Sequence, residues 1–169
     1  MWSSGPLAQV NHIYIDRCFC KILMAILSPP FYTKYVHLPR ASKATPSSIL
    51  NNPKFFPFFQ NALGGMDSTH ISCCPSAAEQ DGCWNWKGGL SQSCLACCSF
   101  DFHFLYLVSS WEGSAADGAL FSNSCFMDLA IPDGKFYLAN AGFGACDSLL
   151  VPYHGVHYHL AEWGWATVQ

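Results

Sequence analysis

Charge is scarce in this sequence. Only 11% of its 169 residues are charged, against 51% hydrophobic and 15% aromatic. A chain so poor in charge and rich in apolar side chains buries enough surface to fold, which excludes wholesale disorder. The same scarcity leaves little surface well solvated and predicts poor solubility or a missing partner surface. Basic residues are rarer still: Lys and Arg together number 8, the only arginines being Arg17 and Arg40, and the net charge is −3. Proteins that grip duplex DNA carry a basic stripe, because neutralising phosphates releases counterions. No stripe is visible, so composition alone speaks against tight nucleic-acid binding. Also missing is a secretory start, a charged head followed by an apolar stretch and a small-residue cleavage site. The apolar run 22–27 is far too short to span a bilayer.

The ten cysteines are what the chain has in excess, among them Cys18, Cys20, the adjacent Cys73 and Cys74, and Cys94, Cys97 and Cys98. Without a secretory signal the default is a reducing compartment with free thiols. The expectation is therefore an intracellular protein with no membrane association. The length suits one folded domain.

Residues 1–20 show no clear pattern, 21–35 suggest a short helix broken by Pro29-Pro30, and 36–53 read as a connecting arm. Residues 1–53 are thus expected to form a poorly defined N-terminal arm. Phe55, Phe56, Phe58 and Phe59 form an aromatic cluster that should pack against something. Beyond Asn61 order increases. The pattern predicts a strand over 62–71 carrying Asp67, and a hairpin from 93–100 and 102–109 around Asp101. A helix over 116–129 and a short strand over 135–139 follow, ended by the turn-forming Gly142 and Gly144. No internal repeat is present. Strand, hairpin, helix, strand is the order of an α+β, ribonuclease-H-like mixed sheet with flanking helices. In that layout the first and fourth strands are neighbours, so acids at their ends converge.

Five segments then resemble one family in order. The run Gly64-Gly65-Met66-Asp67-Ser68-Thr69-His70 resembles a strand ending Gly-x-x-Asp-Gly-Thr-His. Asn85-x-Lys87-Gly88-x-x-Ser91-Gln92 resembles Asn-Arg-Lys-Gly…Ser-x-Asn, and Gly113-Ser114-x-x-Asp117 resembles Gly-Ser-x-x-Asp. Leu138-x-Asn140-x-Gly142-Phe143 resembles Leu-x-Asp-x-Gly-Tyr, and 149–163 resembles a Leu-x-Pro-Tyr segment followed by Tyr-His-Leu. Together they resemble the DDE endonuclease domain of PIF/Harbinger-type transposases, which places the partial nuclease domain at 54–169.

That resemblance implies three carboxylates holding two Mg²⁺ or Mn²⁺ ions for cleavage and strand transfer at DNA phosphodiesters, with hard oxygen ligands suited to such cations. It further implies DNA as substrate, a nuclear setting and a separate DNA-binding partner protein. Carried over by position, the first acid and metal ligand is Asp67, the second acid position holds Asn140, and the third, a glutamate, falls beyond Gln169. The fold is accordingly expected to be incomplete at its C-terminal side and the enzyme impaired. His70 and Asp117 are possible supporting residues, Asp117 either by hydrogen bonding behind the site or by capping the following helix. Ser68 stands where the family prefers glycine. Trp84, Trp86, His154 and His157 stand where basic residues are usual. Each of these changes, like Asp to Asn, needs one transition, as expected of a decayed mobile-element copy. The alternatives to cleavage are a non-catalytic binding module or a non-functional remnant.

Three unrelated chemistries compete. Cys94-x-x-Cys97 has zinc-knuckle spacing, but its partners would be the adjacent Cys73 and Cys74, which point apart on a strand. His154, His157 and His159 could gather a transition metal or form a polar face beside Tyr153 and Tyr158. A Cys–His nucleophile has no local signature here.

Overall fold

A computed structural model describes residues 6–85 and 87–153, with side chains from residue 13. Contacts divide the chain into two compact units, Met1–His37 and Leu38–Gln169.

In the first unit α1 spans Pro6–Leu27 and α2 spans Phe31–Tyr35. The helix therefore begins well inside the stretch that showed no pattern. Proline is compatible with a first helical position, where its missing N–H would have no partner anyway. Apolar residues around the whole helix circumference leave no 3.6-residue period to see. Pro29-Pro30 ends α1 as anticipated, since proline supplies no N–H to continue the ladder.

The second unit opens with α3 (Ser47–Leu50), whose Ile49 is buried, so residues once read as an arm reach the core. The aromatic turn that follows packs only in part. Phe55 and Phe59 meet edge to face at 5.9 Å, whereas Phe58 stays 75% exposed.

Five strands form one mixed sheet in the order β3-β2-β1-β4-β5. They are β1 Ala62–Ser72, β2 Ser91–Cys98, β3 Phe104–Glu112, β4 Phe136–Ala139 and β5 Leu149–Leu150. β1, β2 and β3 run antiparallel, while β4 lies parallel to β1 and β5 parallel to β4. Two helices complete the unit, the short α4 (Gln80–Cys83) and α5 (Asp117–Met127), which lies between β3 and β4 in the chain. The predicted strand, hairpin, helix and strand are all found, in an α+β arrangement consistent with a ribonuclease-H-like fold.

Alternation sorts the two faces of the sheet. Met66, Leu95, Cys97 and Tyr137 point into a core completed by Leu105, Tyr106, Leu129, Phe143 and Leu149, with Phe121 of α5 packed against it. Gly65, Asp67, Ala96, Cys98 and Leu138 line a cavity of about 470 Å³ on the opposite face. Gly64 stands where the β1–β4 register shifts, and a Cβ there would run into the carbonyl of Cys98. Only glycine lets β1 and β2 stay paired through that irregularity.

Candidate functional site

Parallel pairing of β1 with β4 brings Met66 opposite Ala139. The next residues are Asp67, midway along β1, and Asn140, just past β4, so the two side chains meet where the β1–β4 ladder ends. Asn140 Nδ2 donates to Asp67 Oδ1 at 2.7 Å. The same carboxylate oxygen accepts the backbone N–H of Ser68 at 2.9 Å, and Asn140 Oδ1 accepts the N–H of Gly142 at 2.7 Å. Both ends of the amide are thereby engaged. The pair is exposed and sits at the rim of the cavity lined by Gly65, Ala96 and Leu138.

Behind this pair lies Asp117. Its Oδ1 accepts a short hydrogen bond from Ser68 Oγ, one residue beyond Asp67 on β1 and on the other face of the strand. The capping alternative for Asp117 is corrected. The residue at the helix N-cap is Ala116, which makes no side-chain cap bond, and Asp117 already lies within α5. Its second oxygen faces Gly142, where a Cβ would collide with it and would also crowd Asn140 Oδ1. One carboxylate therefore bridges the middle of β1 and the loop after β4, which requires residue 142 to lack a side chain. Sequence reading missed the roles of Ser68 and Gly142. The signal was available only as their places in two motifs, because the contact joins residues 49 positions apart.

His70 is not brought to the Asp67–Asn140 pair. Three residues further along β1, it faces the other side of the sheet, where its Nδ1 lies 3.2 Å from Ser91 Oγ and 3.3 Å from Ser93 Oγ. Asn85 Nδ2 donates to the same Ser91 hydroxyl at 2.8 Å, and Asn85 Oδ1 accepts the N–H groups of Lys87 and Gly89, each at 3.0 Å. The Asn-x-Lys-Gly segment thus folds as a tight turn pinned to β2 through its asparagine.

Among the described residues, no group of three or more His, Cys, Asp and Glu side chains is spaced to hold a metal ion. The donors at the β1–β4 end are one carboxylate and one amide, both turned toward N–H groups. With an amide in place of one carboxylate, that pair lacks a charge that a two-cation centre would use. Cys94 and Cys97 are buried within β2 opposite Thr69 and Met66, whereas Cys73 is bonded through its N–H to the carbonyl of Leu90 at 3.1 Å. The two cysteine groups therefore occupy different stretches of the sheet. Burial, ahead of neighbouring Cys98 and Cys125, pushes the Cys97 thiol up to about 12, the behaviour of a core side chain. Trp86, His154, His157 and His159 lie outside the described residues. No helix among the described residues is long and apolar enough to cross a membrane.

Residues 66–164 match the family described as DDE superfamily endonuclease, a stretch that contains Asp67, His70, Asp117 and Asn140. The chain is 23% identical over 153 residues to "Putative nuclease HARBI1" of Rattus norvegicus, covering 89% of this chain and 43% of that protein. It therefore spans less than half the length of this curated relative. No solved structure matches.

Proposed function

The chain belongs to the DDE superfamily endonuclease family, and from that membership we propose that its acid end is a DNA-cleaving centre by descent which no longer cleaves. One observation carries this reading: Asn140, which the family resemblance puts at the second acid position, donates its amide to Asp67 at 2.7 Å. Two carboxylates at that spacing would repel unless a cation lay between them. An amide instead donates to its neighbour, and the pair is satisfied without a cation.

In this reading Asp67 is the remaining family ligand and Asn140 the altered one, with Asp117 acting from behind through Ser68. His70 keeps a supporting role away from the reacting end, through Ser91 and Ser93. Family membership supports DNA as the ancestral substrate, divalent metal as the ancestral cofactor and the nucleus as the setting. With Lys and Arg numbering 8 against Asp and Glu 11, strong contact with phosphates would come from a separate DNA-binding partner rather than from this chain. What remains is a non-cleaving transposase-derived domain.

The direct test is nicking of supercoiled plasmid in Mn²⁺ by the purified chain. Relaxation no faster than in protein-free controls is expected. Mn²⁺-dependent nicking that disappears in Asp67→Ala would overturn the proposal.

A further inference from the structure

Away from the acid end, the chain between β1 and β2 builds a cysteine pair that sequence spacing did not suggest. Ser76 Oγ donates to Glu79 Oε2 at 2.7 Å, and the N–H of Glu79 returns to the carbonyl of Ser76 at 2.9 Å. This closed turn reverses the chain just after Cys74. Both legs of the reversal are then anchored to one residue. The N–H of Cys73 donates to the carbonyl of Leu90 at 3.1 Å, and Trp84 pairs antiparallel with the same Leu90. Cys73 and Cys83 consequently come close to one another, and burial, ahead of the nearby Cys83 thiol, holds the Cys73 thiol above its ordinary value. They line a cavity of about 540 Å³ with Cys74, Glu79, Trp111 and Glu112. Cys83 is buried, Cys73 partly exposed and Cys74 exposed.

We infer that Cys73 and Cys83 form a redox-modification site, closing to a disulfide on reaction with a small disulfide oxidant such as glutathione disulfide. The cavity admits the oxidant to Cys73, whose thiolate attacks one sulfur and expels a glutathione thiolate. Cys83 then attacks the Cys73 sulfur of the mixed disulfide and releases the second glutathione. Two protein thiols give up two electrons and two protons, and one glutathione disulfide becomes two glutathione thiols. The new bond ties the exit of β1 to α4. There the carbonyl of Gly82 already accepts the N–H of Gly113 at 3.0 Å, at the start of the segment leading to Asp117. Oxidation would thus clamp together two segments that converge on the acid end.

The test incubates the reduced full chain with glutathione disulfide, blocks remaining thiols with N-ethylmaleimide and maps peptides without reduction. A loss of two of the ten thiols and a Cys73–Cys83 cross-linked peptide are expected. Cys74→Ser should keep the link, and Cys83→Ser should leave a stable glutathione adduct on Cys73. A link through Cys74 in place of Cys73, pairing scattered over many cysteines, or ten thiols still free would each overturn the inference.

Discussion

Asn140→Asp is the most informative single change, because it replaces an attraction with a repulsion at a known distance. The N–H···O contact of 2.7 Å becomes an approach of two carboxylate oxygens. A hydrogen bond to a charged acceptor, contributing about 1.5–3 kcal/mol, is lost. Two unit charges roughly 4 Å apart add about 4 kcal/mol of repulsion at an effective dielectric near 20, and about 1 kcal/mol in bulk water. Both residues are exposed, so the water-like end applies. The net loss is about 2.5–4 kcal/mol, against about 1.5–3 kcal/mol for Asn140→Ala, which loses the bond without adding charge. The Asp variant alone should then respond to Mn²⁺, by about 2.7 kcal/mol once the free ion reaches roughly a hundred times its Kd. Urea unfolding of the three proteins with EDTA or Mn²⁺ reads all of this. If the Asp variant is no less stable than the Ala variant and is unmoved by Mn²⁺, residue 140 does not occupy a former cation site.

Other outcomes follow from contacts nearby. Gly142→Ala drives a methyl group against the Asp117 carboxylate and should cost about 1–2 kcal/mol by displacing it from Ser68. In an Asp117→Ala background that cost should shrink to the crowding of Asn140 Oδ1, and a double-mutant cycle by urea unfolding measures the difference. Tyr137 is fully buried and, among the described residues, its hydroxyl has no hydrogen-bond partner. Tyr137→Phe should therefore raise stability by about 1 kcal/mol, and a lower Tm would show that the hydroxyl is in use. Burial, then the bond to Asp128, raises Tyr106 to about 12, and burial raises Cys97 to about 12. Both folded values lie above their unfolded ones, so their stabilisation is complete below about pH 9 and is lost as pH climbs toward about 12. Urea midpoints that stay flat from pH 8 to about 11.5 would contradict this.

The sheet was legible because β1, the β2–β3 hairpin, α5 and β4 each carry a local signal, whether alternation, turn residues or helical spacing. Convergence of Asp67 with Asn140 could be read from strand order alone, since parallel neighbours place equivalent ends side by side. α1 could not be read as a whole, because apolar residues stand on every side of it. Pairings such as Ser68 with Asp117 leave no mark on either neighbourhood, so local patterns could not reveal them. The same holds for Cys73 with Cys83, whose meeting depends on a turn closed by Ser76 and Glu79 and on their common anchor at Leu90. His70 was drawn toward the acid by its place in the motif. Strand alternation, applied strictly, sends it to the other face.

The doubly bonded amide of Asn140 also bears on how the domain matures in a cell. An acid cluster that needs a divalent ion to quiet its own repulsion ties the finished fold to the local supply of that ion. Here the strand ends are closed by a side chain that the ribosome itself delivers. In the proposed reading, assembly is then indifferent to chelators and to metal starvation, and the amide at residue 140 frees the fold from the ancestral cofactor.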